Sequence, residues 1–563
     1  MFVRRKMLAG GRTKVQVVKS VRNGDKVRQR VVRHVGTASS DAQLESLESL
    51  GCLIIEEIRL ADSGQQSLFT PKAFADLAEQ SRRARPDPGP FGVDLADCRE
   101  DARIAIGVRE AFGEVYAQLG WDRLFGARRM SANRNIREMV LARIARPQSK
   151  RAMTRDLERH GQLSLNLDHV YRSMDRIDER MIEAICRRSR DVAETLLPAP
   201  VTVIFYDTTT LYFESDAEGD DRHRGYSKDG KPHRVQVLFA LLVTPEGLPV
   251  GYELHPGNTH EGGTLVQALD ALERRHPGIA FTVVADAGMI SRENRQALEQ
   301  RGTPYILGAR LKSCRVALKR QILDLDAYAP WGRDRHAEQL GRIRAISDGD
   351  ARLVVTHSPR RARKDAHQRE RQIERLRTRL AKGAGAASLG NRGTARFLDF
   401  PDGRVALNEE KIAAAASWDG LRGIVARGCD DADPRDLVIQ YRQLAEIEAC
   451  FRVNKHDLRI RPVFHWAPRR IRAHVAICYM AFCCLQHLRH RLAARGWRMS
   501  ADRIRRALGE LEISILYEKT GDRKFAMPSA PTEDARRIYR VLGLTWKRAP
   551  FVCTSQEGKS RQD

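Results

Sequence analysis

Two apolar runs in this chain each end in an aspartate, and this placement constrains the fold more than any other feature. The run VTVIFYDTTT carries Asp207 at the end of a predicted strand, and FTVVADAGM carries Asp286 in the same way. A later helical segment, QYRQLAEIEACFRVNK, carries Glu448. Hard carboxylate oxygens that leave metal positions open for water and phosphate are typical of two-metal phosphodiester chemistry. The pattern therefore predicts a site built from three carboxylates.

The elements between the two aspartates follow the order strand, strand, strand, helix, strand. The strands are the run that leads to Asp207, then HRVQVLFALLV, PVGYELHPG and FTVVADAG, and the helix is TLVQALDALERR. Short apolar runs bounded by turn residues indicate strands, and apolar residues spaced three and four apart indicate a helix. This is the core order of a ribonuclease H-like fold. We therefore predict an α/β protein with a mixed sheet flanked by helices, preceded by an N-terminal β/α region.

The stretch between Asp286 and Glu448 is too long for a simple loop in a compact fold. It contains a strand-like run, RLVVTH, and a basic helical stretch from Pro359 to Lys382. We expect an inserted subdomain between the second aspartate and the glutamate. The arginines of the basic stretch could face solvent or contact DNA, and the sequence leaves both interpretations open.

The helical segment offers two glutamates, Glu446 and Glu448. At about 100° per residue, Glu448 shares one side of a helix with Tyr441, Arg452 and Lys455, whereas Glu446 falls nearly opposite Lys455. A metal-binding glutamate should share its side with groups that hold phosphate, so Glu448 is preferred. The alternative is an ordinary ion pair between Glu448 and Arg452 on successive turns.

Each aspartate also has a simpler interpretation, because aspartate is favoured in turns and at helix caps. The threonines that follow Asp207 and the Ala-Gly pair that follows Asp286 would suit such turns. One acid alone therefore says little. The order and placement of the three acids together favour a shared site.

The charge of the chain indicates a polyanionic partner. Lys and Arg number 98 against 72 Asp and Glu, and the formal net charge is +26. Each phosphate contact releases counterions, so such a surplus favours nucleic acid. Ribosome-bound and membrane-surface proteins have a similar balance, and charge alone does not separate these classes.

The cysteines and apolar segments exclude several other classes. The ten cysteines include no CxxC pair, which indicates reduced thiols rather than a disulfide framework or a zinc ribbon. The N-terminal segment MFVRRKMLAGGRTK lacks the apolar core of a signal peptide. The apolar segment VAICYMAFCCL is too short to span a bilayer and is expected to form a buried helix. We therefore expect a cytoplasmic protein without a membrane partner.

Five segments, in this order, carry a family resemblance: FYDTTTLYFES, GYSKDGKPHRVQVLFALLV, GLPVGYELHPGNTHEGGTL, VVADAGMISRENRQAL and YRQLAEIEACFRVNKHDLRIRPVFHW. They resemble the DDE transposases of bacterial insertion sequences, and above all the family four group with its Y-R-E-K signature. In this chain the signature positions hold Tyr441, Leu444, Glu448 and Lys455. Leu444 stands where the signature has arginine, which removes an expected phosphate contact.

The resemblance implies an activity and a set of roles. Asp207, Asp286 and Glu448 would form the catalytic triad and bind two Mg²⁺ ions, for which Mn²⁺ could substitute. Arg452 and Lys455 would hold phosphate oxygens. Tyr441 would position the DNA near the cleavage site.

The resemblance also implies the reaction and its partners. The enzyme would cleave strands at the ends of a transposon and transfer them into target DNA, a cut-and-paste transposition. Its partners would be double-stranded DNA, as terminal inverted repeats and target, and a second copy of the chain in a homodimeric DNA complex. It would act in the bacterial cytoplasm, associated with the nucleoid.

Six segments are expected along the chain. They are an N-terminal β-hairpin region and linker (1–98), a helical region that binds DNA ends (99–199), the first part of the catalytic core (200–310), the insertion (311–436), the last part of the core with the glutamate helix (437–492) and a C-terminal helical tail (493–563).

Two alternative functions remain open at this stage. A ribonuclease H-like nuclease would use the same acids without strand transfer. A decayed transposase copy would bind DNA without cleaving it, and Leu444 keeps that alternative open.

Overall fold

The structure is a computed structural model. It describes residues 1–8, 12–23, 26–39, 41–62, 95–159, 163–214, 217–226, 233–289, 291–333, 339–382, 396–399, 405–519, 523–547 and 549–553. The chain divides into two compact units. The first comprises Met1–Ala111, Thr154–Leu165 and Arg506–Asp563, and the second comprises Phe112–Met153 and Asn166–Arg505.

The strands of the described residues, in chain order, are β1 (Phe2–Met7), β2 (Thr13–Asn23), β3 (Lys26–Ala38), β4 (Cys98–Ala105), β5 (Val203–Tyr212), β6 (His223–Arg224), β7 (Val235–Val243), β8 (Pro249–Pro256), β9 (Thr282–Ala285), β10 (Tyr305–Gly308), β11 (Ala329–Arg333), β12 (Gln339–Asp348), β13 (Ala351–His357), β14 (Leu398–Asp399), β15 (Ala406–Leu407), β16 (Leu421–Arg427), β17 (Glu512–Glu518), β18 (Arg523–Pro528) and β19 (Phe551–Val552).

The α-helices of the same residues are Asp41–Asp62, Gly107–Gln118, Met130–Ala145, Lys150–Arg159, Leu167–Met174, Glu179–Leu196, Thr264–Arg275, Arg292–Gln300, Val316–Leu323, Pro359–Ala381, Glu409–Ala416, Pro434–Arg442, Ala445–Arg452, Pro468–Ala494, Ala501–Gly509 and Glu533–Leu542. A π-helical turn, Val453–Asp457, continues the helix that carries Glu448.

Two antiparallel sheets belong to the first unit. One has the order β1-β2-β3, and the other has the order β19-β18-β17-β4. Val17 of β2 packs with Ile54 and Ile55 of the Asp41–Asp62 helix, which gives the first sheet a small core. β2 and β3 pair as the antiparallel hairpin that the sequence predicts. Gly24 and Asp25, between β2 and β3 in the sequence, lie outside the described residues.

A ten-stranded mixed sheet organises the second unit. Its order is β11-β12-β13-β16-β10-β9-β5-β7-β6, and β8 pairs with β7. β9 is parallel to both β5 and β10, whereas β7 is antiparallel to β5 and β8 is antiparallel to β7. The subset β8-β7-β5-β9-β10, with the Thr264–Arg275 helix between β8 and β9, confirms the predicted ribonuclease H-like core.

Burial on both faces explains why the sequences of the central strands are unbroken apolar runs. Every residue of β7 is buried, which requires apolar side chains on both faces of the strand. Leu265, Leu269 and Leu272 of one helix pack in the same core as Ile204 of β5 and Val283 of β9. The helix therefore covers the part of the sheet that carries the two aspartates.

The segment expected as an insertion adds strands to this same sheet. β16 pairs with β10, β13 with β16, β12 with β13 and β11 with β12, all antiparallel. The basic stretch forms the Pro359–Ala381 helix, in which Ile373 and Leu376 are the buried residues. Leu376 packs with Leu398 of β14 and with Phe397, the residue before that strand.

The Pro468–Ala494 helix supplies a large part of the second unit's core. Within the described residues it is long and apolar enough to cross a membrane, yet 94% of its apolar window is buried inside the protein. Tyr479, Met480 and Phe482 are fully buried, and the Tyr479 hydroxyl lies 2.7 Å from the Ser189 hydroxyl. The prediction of a buried helix for this segment is confirmed.

Next to this helix lies a buried lysine. Lys150 is only 4% exposed. Burial, followed by the nearby charge of Arg143, lowers the pKa of Lys150 to about 7. Burial and the positive charge of Lys150 in turn lower the pKa of His465 to about 4 and lower that of His474. These basic groups therefore resist protonation in the folded state.

We expect the Lys150→Met substitution to stabilise the protein at neutral and acidic pH. An unfolded lysine keeps its proton up to a pKa of about 10.5, whereas folded Lys150 loses it near pH 7, so the wild type gains stability as pH rises between these values. The methionine variant lacks that dependence and should be more stable by on the order of 3–5 kcal/mol below pH 7. Urea unfolding at about pH 6 and about pH 10 measures the difference.

The matched control is Lys364→Met, which removes an exposed lysine from the Pro359–Ala381 helix. This control should change stability little at either pH. A Lys150→Met variant that is less stable than wild type at the lower pH would contradict the account.

Candidate active site

The pairing of β5 with β9 places the two aspartates side by side. The strands are parallel, and Tyr206 lies opposite Ala285 in their register. Asp207 is the next residue of β5 and Asp286 directly follows β9, so the two aspartates lie at the same level of the sheet. The predicted end of the first strand at Asp207 is wrong, since β5 continues to Tyr212 through its pairing with β7.

The immediate surroundings of the two aspartates differ. Asp207 is half-buried, and its Oδ1 accepts a hydrogen bond of 2.7 Å from the backbone N–H of Thr208. Asp286 is exposed and precedes a 3-10 turn, Ala287–Met289. The Tyr441 hydroxyl donates to Asp286 Oδ1 over 3.2 Å. A side chain from another part of the chain therefore reaches the second aspartate.

Gly308 makes room for that tyrosine. A Cβ at position 308 would lie 2.3 Å from the Tyr441 hydroxyl oxygen and 2.7 Å from the backbone nitrogen of Ala287. Both distances are shorter than a non-bonded contact allows, so a larger residue would push Tyr441 away from Asp286. Burial, followed by the charge of Asp286, raises the pKa of Tyr441 and keeps its hydroxyl a hydrogen-bond donor.

The glutamate lies on a helix that is shorter than predicted. The helix Pro434–Arg442 carries Tyr441, and a separate helix, Ala445–Arg452, carries Glu448. Lys455 lies in the π-helical turn that follows. The assumption of one continuous helix from Tyr441 to Lys455 is therefore wrong, because the chain breaks around Leu444.

An open cavity of about 720 Å³ brings the three predicted acids together. Asp207, Asp286 and Glu448 all line it, as do Tyr441 and Leu444. Glu446, Arg452 and Lys455 are not among its lining residues. In the described part of the chain, Glu448 and Arg452 form no ion pair, so the simpler interpretation of Glu448 is not observed.

Four cations also line this cavity, namely Arg310, Lys312, Arg422 and Arg442. The sequence patterns did not point to the first three. Arg310 and Lys312 follow directly after β10, and Arg422 lies on β16. The position of Arg310 and Lys312 just after the apolar run YIL of β10 is the same signal that predicts the two aspartates, and it could have identified both cations. Arg422 could not be found in this way, because the sequence did not reveal that β16 pairs with β10.

Local contacts hold three of these cations in place. Arg310 donates from Nε to the carbonyl oxygen of Ala287 over 3.1 Å. Lys312 Nζ lies 5.9 Å from the ring centre of Trp418, and the guanidinium of Arg442 lies 4.2 Å from that of Trp331. Such cation–π contacts stabilise a positive charge beside an aromatic face. Within the described residues, none of these cations forms an ion pair with a carboxylate.

The acids of the cavity are chemically suited to a divalent cation. Three carboxylates offer hard oxygen donors of the kind that Mg²⁺ and Mn²⁺ prefer. Across the described residues, however, no group of three or more His, Cys, Asp or Glu side chains is close enough to enclose a metal ion. The carboxylate oxygens are therefore suitable ligands for a divalent cation, but the three acids line an open cavity and do not surround a single point.

The strand order of the large sheet is that of the ribonuclease H-like fold. Residues 199–484 match the family described as "Transposase DDE domain", and residues 2–59 match "IS1634 family transposase, N-terminal domain". The chain therefore belongs to the DDE transposases of bacterial insertion sequences. The assignment to insertion-sequence family four is not confirmed by these matches.

Solved structures and curated proteins add less. A piggyBac transposase synaptic complex with hairpin DNA is 12% identical, covers 72% of this chain and 79% of its own, and has a TM-score of 0.37. A Mos1 transposase paired-end complex with the left transposon end is 14% identical. The match covers 49% of this chain and 75% of the Mos1 chain, with a TM-score of 0.14. At such TM-scores neither similarity establishes a shared structure. No curated protein matches the chain significantly.

Membership of the family establishes the activity. DDE transposases cleave DNA strands and transfer them, and they generally use divalent metal ions. This chain is accordingly an enzyme that acts on DNA.

We expect the Tyr441→Phe substitution to lower the rate of DNA cleavage while leaving the fold intact. The change removes only the hydroxyl that donates to Asp286. A hydrogen bond to a charged group contributes about 1.5–3 kcal/mol, so the rate should fall by roughly 10-fold or more. Single-turnover cleavage at saturating DNA measures it. Tyr226→Phe, at an exposed tyrosine, is the matched control, and equal rates in both variants would contradict the role of Tyr441.

Proposed function

We propose that Asp207, Asp286 and Glu448 are the catalytic carboxylates of this transposase and that together they hold two divalent ions. The observation that carries this proposal is that the three acids line one cavity. Mg²⁺ is the proposed ion because the donors are all carboxylates, and Mn²⁺ should substitute because it accepts the same ligands. When bound, such ions activate a water or a 3′-hydroxyl and stabilise the leaving oxygen.

The three acids differ in how firmly the fold holds them. Asp207 and Asp286 follow paired residues of two central strands, so the sheet keeps their spacing rigid. Glu448 comes from a short helix that follows a break in the chain, and it is exposed. We infer that Glu448 completes the site by moving towards the two aspartates when cations and DNA are bound.

The cations of the cavity are the proposed phosphate ligands. Arg310, Lys312 and Arg422 face the same space as the acids and have no carboxylate partner in the described residues. They would hold phosphate oxygens on both sides of the scissile bond. Arg452 and Lys455, the predicted phosphate ligands, do not line the cavity, so we assign them to DNA farther along the strand.

Tyr441 has a positioning role in this proposal. Its hydroxyl orients the carboxylate of Asp286, and its ring forms part of the cavity wall next to Leu444. Leu444 provides no positive charge at the position where the signature has arginine. The positive charge that holds phosphate would therefore come from the four cations of the cavity, Arg310, Lys312, Arg422 and Arg442. This supply of charge favours an active enzyme over a decayed copy.

The substrate and assembly follow from the reaction. We propose that the chain acts on double-stranded DNA, as the terminal inverted repeats of its own element and as target, in a cut-and-paste reaction. Joining two ends of one element requires two active sites, so a homodimer in the DNA complex is the proposed assembly. The proposed location is the bacterial cytoplasm, associated with the nucleoid.

The runner-up function is a DNA-binding copy that no longer cleaves. The observation that favours it is Leu444, which places an apolar side chain in the cavity where the signature has arginine. Wild-type protein that binds its element ends tightly and shows no cleavage with either Mg²⁺ or Mn²⁺ would support this alternative.

We expect Asp207→Asn, Asp286→Asn and Glu448→Gln each to reduce metal-dependent cleavage at least about 1,000-fold, because each removes a charged oxygen ligand. Binding to the DNA ends should persist, since the fold and the basic surface remain. Cleavage of a plasmid that carries the native gene with its flanking DNA, with and without Mg²⁺, measures the effect.

The matched control for the glutamate is Glu446→Gln. Glu446 lies on the same helix as Glu448 and is exposed, but it does not line the cavity. This control should cleave DNA at nearly the wild-type rate. Full cleavage by Asp286→Asn, or equal effects of the two glutamate substitutions, would refute the proposed site.

A further inference from the structure

The N-terminal hairpin extends beyond the sheet that supports it. β1 pairs with β2 from Met7 opposite Thr13 to Phe2 opposite Val18. Beyond Val18, β2 has only β3 as a neighbour, and the pairing continues to Asn23 opposite Lys26. The end of the hairpin, residues 19–23 and 26–30, is therefore a two-stranded ribbon, referred to below as the basic arm.

The basic arm is exposed on both faces. All of its side chains that the structure describes, at 19–22 and 27–30, are exposed. Val21 is 43% exposed and Val27 is 63% exposed. An isolated two-stranded hairpin in water is marginally stable, and exposed valines are costly without a partner. These features are typical of a surface that is covered when the protein binds something.

The charge of the basic arm indicates which partner covers it. Lys19 of β2 lies directly opposite Arg30 of β3. Arg28, two residues before Arg30, lies on the same face of the ribbon. Like charges in opposite positions repel each other and destabilise a ribbon unless an anion lies between them. In the described residues, neither these three nor Arg22 and Arg33 form an ion pair with a carboxylate.

The surrounding sequence supplies almost no compensating charge. Asp25 is the sole acidic residue among the first 40 residues, which contain eleven lysines and arginines. A second copy of the chain would carry the same positive arm, so face-to-face pairing of two arms would increase the repulsion. A polyanion with closely spaced phosphates neutralises the arm instead.

We infer that the basic arm is a DNA-binding β-ribbon that enters the major groove of duplex DNA. The major groove is about 12 Å wide and admits a two-stranded ribbon. Lys19, Arg28 and Arg30 contact backbone phosphates, and Val21, which lies opposite Arg28 on the same face, lies against the apolar edges of the bases. This inference rests on the DNA-directed function proposed above and assigns DNA binding to residues outside the catalytic cavity.

The test is a triple variant, Lys19→Gln, Arg28→Gln, Arg30→Gln, in the full-length protein. The probe is a linear duplex that contains one end of the native element, and its binding is titrated at several salt concentrations. Each phosphate contact contributes about −0.9 to the slope of log affinity against log salt concentration. Loss of three contacts should therefore make that slope less negative by about 2–3. The affinity should fall at least 10-fold at low salt.

A matched variant removes the same charge elsewhere. Arg274→Gln, Arg320→Gln, Arg435→Gln changes three exposed arginines that do not line the cavity. Its slope and affinity should stay close to those of the wild type. Circular dichroism and thermal unfolding confirm that both triple variants fold.

The outcome separates this inference from the proposed catalytic site. At saturating DNA the basic-arm variant should still cleave, whereas Asp286→Asn should bind without cleaving. A basic-arm variant whose affinity and salt slope match those of the control would overturn the inference. Unchanged DNA binding together with loss of dimers in sedimentation would also overturn it and would assign the arm to a second copy.

Discussion

The parallel pairing of β5 with β9 is the interaction on which the rest of the site depends. Because Tyr206 lies opposite Ala285, Asp207 and Asp286 lie side by side at the same level of the sheet. A slip of one residue would point one of the carboxylates to the other face of the sheet. The register is held by burial, since β7 is buried throughout and the Thr264–Arg275 helix packs on β5 and β9. The hydrophobic core therefore determines the spacing of the acids.

The second determinant is the extension of the sheet beyond β10. Antiparallel pairing of β16 with β10 brings Arg422 to the cavity that the acids line, and Arg310 and Lys312 reach it from the end of β10. A site for DNA needs positive charge to hold phosphate and negative charge to hold cations, and these two sets would neutralise each other if they were in contact. Here the acids come from β5, β9 and the glutamate helix, whereas the cations come chiefly from β10 and the extension. The sheet thus holds both sets in one cavity without forming ion pairs between them in the described residues.

Local sequence patterns predict much of the fold and of the site. Pairing between distant strands, which such patterns do not reveal, determines the rest. The strand and helix order of the core could be predicted because fully buried strands are unbroken apolar runs, and the structure confirms that order. Asp207, Asp286 and Glu448 were identified from their position after such runs and on a polar helix. The break near Leu444 was missed, because nothing in QYRQLAEIEACFRVNK interrupts the helical spacing. Arg422 was missed because its position depends on the β16–β10 pairing, and the exposure of the basic arm was missed because alternating valine and arginine also fits a half-buried strand.

The most direct test of the central claim is to locate manganese in the protein. Crystals of the full chain with a duplex of its element end, grown with Mn²⁺, would show the metal positions by anomalous scattering. The account predicts two Mn²⁺ ions about 4 Å apart, in contact with carboxylate oxygens of Asp207, Asp286 and Glu448. It also predicts that both ions are absent from Asp286→Asn crystals prepared in the same way. Manganese bound elsewhere, or bound to the two aspartates with Glu448 turned away from a DNA end already in place, would contradict it.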